Sequence, residues 1–238
     1  MLGAIQHRPS VWLFTFVLAV ILPLVDAFVF DRVKSTIRLY LWNIIAEWVV
    51  CMVGVFIIFH NGLFPADFGQ NLGTYPRTFI VSAILFVLVA AFLLINKSHK
   101  PKTSRSPEST QRIVKAVGKL RKLAPKTETE RNTWFAVALT AGLCEEFLYR
   151  GWLLNLTGSA LKSVWLGLLI SSLFFGLGHL YQGPGGMIKS GLVGLVLGLI
   201  YIASGSLLPG QILHTLIDLN NGLAIGKILS RAETSPAA

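Results

Sequence analysis

Cys144-Glu145-Glu146-Phe147-Leu148-Tyr149-Arg150-Gly151 sets two adjacent carboxylates and an arginine inside an otherwise apolar run. Trp134 to Leu143 precede it and Trp152 to Leu156 follow. A charged group at bilayer depth costs several kcal/mol, so it faces a bundle interior or a wet cavity. On a helix, Glu146 and Arg150 lie four residues apart and can pair, while Glu145 points about 100° away. One carboxylate is then neutralised in place and the other left free for chemistry. A buried Glu–Arg staple without catalytic purpose is the competing reading of these residues alone.

Composition places that stretch in a membrane. The 238 residues are 53% hydrophobic and 13% charged, against about 25% charge in a soluble domain. The expected fold is all-α, a polytopic bundle of about seven transmembrane helices with an interfacial amphipathic helix. Residues 1–95 hold three apolar runs, near Val11–Phe30, Leu39–Phe59 and Phe79–Ile95. Asp26 in the first is expected to reach the interface or pair with Arg32. Glu47 in the second could line a cavity, but nothing at motif spacing supports that, and a polar contact inside the bundle is expected. Residues 96–131 form a basic linker whose second part sets Ile113, Val117 and Leu120 on one face among Lys and Arg, suited to a membrane surface. Residues 132–226 carry four further runs, and 227–238 a polar tail.

The net charge of +10 would suggest nucleic acid in a soluble chain. Here the basic residues cluster between apolar runs without interleaved aromatics, so no nucleic acid is expected and the lipid bilayer is the partner. Apart from Arg8, Arg77, Lys162 and the intramembrane Arg150, the 21 Lys and Arg residues fall on one side of a seven-span topology. The positive-inside rule then puts the N-terminus outside and the C-terminus in the cytoplasm, in the cell membrane. The two cysteines, Cys51 and Cys144, make neither a disulfide framework nor a CxxC pair. Gly191, Gly194 and Gly198 supply one GxxxG spacing for close helix packing.

Three separate runs bring ionisable groups to membrane depth at four-residue spacing: Glu146/Arg150, Phe175/His179 and His214/Asp218. Each intrusion is independently unfavourable, so three in one short chain point to a shared purpose. A free carboxylate such as Glu145 can take a proton from water, an imidazole can share it, and a donor opposite can stabilise an oxyanion. Alternatively Glu145, His179 and His214 hold a divalent metal such as zinc. A proton relay in a transporter uses the same residue types, although no internal repeat is evident. His-Glu-x-x-His is absent from the sequence.

Glu145-Glu146-x-x-x-Arg150, Phe175-x-x-x-His179 and His214-x-x-x-Asp218, in this order on successive apolar runs, resemble the three motifs of the CAAX-protease and bacteriocin-processing (CPBP, Abi) family of intramembrane proteases. The likeness spans Thr133 to Ile225; the first three runs carry no signature of that family. It implies an intramembrane endopeptidase that cuts a membrane-anchored protein or peptide, of CAAX or other type. Carried over, Glu145 activates water with His179, while Glu146 and Arg150 shape the site. His214 binds the oxyanion, helped by the residue four later, which is commonly Asn in the family and is Asp218 here. An ionised Asp cannot donate a hydrogen bond, so Asp218 is protonated, orients His214, or ligates a metal. The family's chemistry is described both as metal-dependent and as a metal-free glutamate mechanism. A non-catalytic scaffold or immunity protein of the same fold is the alternative.

Overall fold

The computed structural model describes residues 5–73, 76–85 and 118–234. The described residues form helices and short helical turns, without strands. Helix α1 runs Pro9–Arg32 and α2 Thr36–His60. A short α3 covers 77–85. Helix α4 covers 128–160, as Glu128–Glu145, a π-helical stretch Glu146–Leu154, and Asn155–Ala160. Then come α5 Val164–Gly178, α6 Pro184–Ser204 and α7 Leu208–Thr234. Most of the third expected run, together with Ile113 and Val117, lies outside the described residues. Leu120 belongs to a 3-10 turn, Gly118–Leu123. Helix α7 continues through the first part of the expected polar tail.

Local sequence explains where these helices start and stop. Ser35 and Ser163 cap α2 and α5, accepting from the backbone N–H of Arg38 and Leu166. Thr127 and Glu130 form a reciprocal capping box that opens α4. Pro184 occupies the first position of α6, where its missing N–H costs nothing. Gly205 ends α6 at φ +72°, a left-handed turn open to glycine without strain. Pro23 cannot donate to the turn before it, and a π-turn, Val17–Ile21, sits in that turn and takes up the mismatch.

Among the described residues, α1, α2 and α6 are long and apolar enough to cross a bilayer. Helix α5 is apolar but has 15 residues, about 22 Å of rise, short of a ~30 Å hydrocarbon core. The expected all-α membrane helix bundle is what forms, and the other described helices are short or interrupted by charge. Large apolar side chains such as Leu13, Ile45, Phe56, Leu173 and Ile188 face outward, as acyl chains require.

The core is centred on the π-helical stretch. Trp152 is fully buried, edge-on to Phe14 at 4.8 Å and stacked on Phe68 at 5.6 Å. Its Nε1 donates to Thr15 Oγ1 at 3.0 Å. Residues from α1 and from the turn after α2 therefore clasp the segment that carries the acidic pair. Helices α5 and α6 meet through glycine: a Cβ on Gly176 would stand 2.7 Å from the Met187 carbonyl and 3.3 Å from Gly191 Cα. This agrees with the packing role expected for the α6 glycines.

Candidate active site

Arg150 is the centre of the buried charge. Its Nη1 donates to Glu146 Oε1 at 2.8 Å, and both side chains are 1% exposed. Its Nη2 donates to the Gly194 carbonyl at 3.0 Å, and the guanidinium lies 4.2 Å from the Phe175 ring centroid. A side chain at 194 would crowd this arrangement, since a Cβ there falls 3.0 Å from Phe175 and 3.2 Å from Arg150 Nη2. Glycine lets the α6 backbone come close enough to serve as a ligand for arginine.

His214, on α7, fits between the two glutamates, with one ring nitrogen turned to each. Nδ1 lies 3.0 Å from Glu146 Oε1, and Nε2 lies 3.8 Å from Glu145 Oε2 and 3.6 Å from Asp218 Oδ2. A carboxylate salt-bridged to arginine accepts, so Nδ1–H donates to Glu146 and Nε2 faces Glu145 and Asp218. The two carboxylates are adjacent and diverge along the helix, yet both reach one imidazole because the ring enters edgewise between them. Asp218 sits at ion-pair range of Nε2. Its backbone carbonyl accepts from Trp134 Nε1 at 3.1 Å, fixing this turn of α7 against the start of α4.

His179 is the residue that terminates α5. Its Nδ1 is 2.8 Å from the Phe175 carbonyl. A carbonyl only accepts, so the proton is on Nδ1 and the neutral ring keeps its lone pair at Nε2. Phe175 contacts both histidines, with centroids 4.9 Å from His179 and 5.7 Å from His214. His179 and Glu145 line the same cavity, of about 550 Å³ including its open mouth. Glu145 Oε2 is buried without a hydrogen-bond partner.

The structure thus gathers Glu145, Glu146, Arg150, His214 and Asp218 into one cluster and sets His179 in the lining of a cavity that Glu145 also lines. For a metal on Glu145, His179 and His214 the fit is poor: among the described residues no three His, Cys, Asp or Glu side chains are placed to hold one ion. Two expectations for the first two runs are corrected. Asp26 does not pair with Arg32; its Oδ1 accepts from Trp42 Nε1 at 2.9 Å, while Arg32 lies over the Phe28 ring. Glu47 makes no bundle-facing contact through Oε2, which is buried and unpartnered, and the residue lines the cavity with Glu145. A lone acid in an apolar run signalled Glu47 in the sequence. Nothing there signalled the Gly194 carbonyl.

Residues 129–220 match the family model described as type II CAAX prenyl endopeptidase, Rce1-like. The match covers about two-fifths of the chain and contains every residue of the cluster. No curated protein and no solved structure matches the chain.

Proposed function

From the premise that α4 and most of the helices after it make up a type II CAAX prenyl endopeptidase-like segment, we propose that the chain is an integral-membrane endopeptidase of membrane-associated polypeptides. The observation that carries this reading is the cavity shared by a Glu145 whose buried Oε2 accepts no hydrogen bond and a His179 whose Nδ1 is already committed to a carbonyl. Glu145 takes a proton from water while His179 Nε2 accepts the other hydrogen and orients the attacking oxygen. Attack on the scissile carbonyl forms a tetrahedral oxyanion. His214 donates to it from Nε2–H, as an imidazolium whose counter-charges are Glu146 and Asp218 while Glu145 holds the proton. Collapse breaks the C–N bond, and the proton held by Glu145 passes to the leaving amine.

Within this reading Glu146 and Arg150 are positioning residues. Their pair fixes His214 through Nδ1 and keeps Glu146 from competing for the water. Asp218 orients His214 rather than donating to the oxyanion. No step passes through a metal; metal analysis of the purified protein beside activity tests that choice. The basic loops between apolar runs support a cytoplasmic C-terminus by the positive-inside rule.

Purified protein in liposomes should cleave a prenylated CAAX peptide or another membrane-anchored substrate. Glu145→Gln should lower turnover by about 10²–10⁴-fold with an unchanged thermal midpoint. Cleavage that persists in Glu145→Gln would overturn the assignment of the base.

A further inference from the structure

The family match begins at residue 129, yet α1 and α2 build one wall of the cavity that holds Glu145. Asp26, Asn43 and Glu47 line it beside Leu22 and Val50. The polar groups of α2 near this wall mostly have partners. Tyr40 Oη donates to the Leu123 carbonyl, Trp42 Nε1 to Asp26 and Trp48 Nε1 to Thr140 Oγ1. Glu47 Oε2 is buried and has none. A buried, unpaired carboxylate oxygen is unfavourable, and a purely structural position would be better served by an amide or an apolar side chain.

The charge around Glu47 is one-sided. Three carboxylates (Asp26, Glu47 and Glu145) line the cavity, and neither Lys nor Arg does. Of the buried cationic groups nearby, Arg150 is committed to Glu146 and the Gly194 carbonyl and His214 to Glu146, and neither lines the cavity. The group complementary to this wall is therefore a positively charged hydrogen-bond donor on an aliphatic stem. We infer that Glu47, with Asp26 behind it, is a specificity-determining residue. It receives a Lys or Arg side chain of the substrate polypeptide beside the scissile bond, with the stem along Leu22 and Val50. The inference rests on the reading of Glu145 and His179 as the reacting groups. An acidic side chain or a free C-terminal carboxylate at the same place meets like charge and is rejected.

Binding and cleavage measured in parallel separate the two claims. Fluorescent single-span peptides in lipid nanodiscs carry one Lys at successive positions, with Gln and Glu peptides as controls. At one or more positions the Lys peptide should bind wild-type protein at least tenfold more tightly than its Gln counterpart, and the Glu peptide more weakly than either. Glu47→Gln should bring Lys and Gln peptides within about threefold. Glu47→Asp, a shorter carboxylate that keeps the charge, should retain a cationic preference shifted toward Arg. Equal binding of Lys and Gln peptides, or a preference that survives Glu47→Gln, overturns the inference. If Glu47→Gln fails to fold, Glu47→Asp decides: no shift from Lys toward Arg overturns it. A Glu47-dependent Lys preference with no cleavage of any peptide supports the binding inference and sinks the endopeptidase reading. Cleavage indifferent to Lys does the reverse.

Discussion

Glu146 in α4 and Glu47 in α2 are acids of the same bundle under different circumstances. Glu146 Oε1 is held by Arg150 at 2.8 Å and His214 at 3.0 Å, although its Oε2 is buried without a hydrogen-bond partner. Glu47, one cavity wall away, has a buried oxygen with no partner. A buried charge held by a cation is a brace, because removing that cation leaves it poorly compensated. An open one is a liability to the fold that persists only where something else uses it. Within the family match Glu146 has a cation in contact, whereas on the cavity wall Glu47 from the amino-terminal helices and Glu145 from α4 each keep an oxygen without a hydrogen-bond partner.

The sharpest way to break this contrast is at Arg150. Arg150→Met leaves Glu146 with His214 as its remaining partner in an apolar core and should destabilise the protein by about 3–5 kcal/mol, read as a lowered thermal midpoint in detergent. Pairing it with Glu146→Gln should recover part of that loss. If Arg150→Met unfolds like wild type, the brace does not exist. Gly194→Ala comes next. Its Cβ, 3.0 Å from Phe175 and 3.2 Å from Arg150 Nη2, must displace one of them, for about 1–3 kcal/mol; catalytic loss should exceed the change in stability.

At Glu47 the sign reverses. Glu47→Gln removes an unpaired buried charge and should raise stability by about 1 kcal/mol, checked in the same unfolding assay. A clear loss of stability there would show that Glu47 is a structural acid after all. The smallest effect lies outside the bilayer, at the capping box. Burial pushes the Glu130 carboxyl up, but the backbone N–H groups of Thr127 and Lys126 outweigh this and hold it below its ordinary 4.5. A carboxyl depressed in the folded state contributes its stability above the unfolded value and loses it as pH falls through the folded one. Unfolding of wild type and Glu130→Gln should therefore converge as pH drops below about 4.5, with the wild type more stable above it.

Much of the fold was legible along the chain because its signals are local. Apolar runs, Ser and Thr caps, prolines at helix starts and glycines at close crossings depend on neighbours a few residues away. The charged positions that matter, Glu145, Glu146, Arg150, His179, His214 and Asp218, stood out for the same reason: each interrupts an apolar run. The pairing of Glu146 with Arg150 follows from four-residue spacing alone.

What spacing left undecided was the company these groups keep. Nothing local says that His214 enters between adjacent glutamates, that a backbone carbonyl on α6 completes the shell of Arg150, or that Phe175 touches both histidines. Nor does the chain order show that Glu47, about a hundred residues before Glu145, looks into the same cavity. The sequence by itself determined which residues are too polar for lipid and must turn inward, because transfer of charge into hydrocarbon is penalised residue by residue. Only the tertiary structure decided which of them are satisfied and which stand open, because pairing of buried charge depends on distances between helices that no local rule specifies.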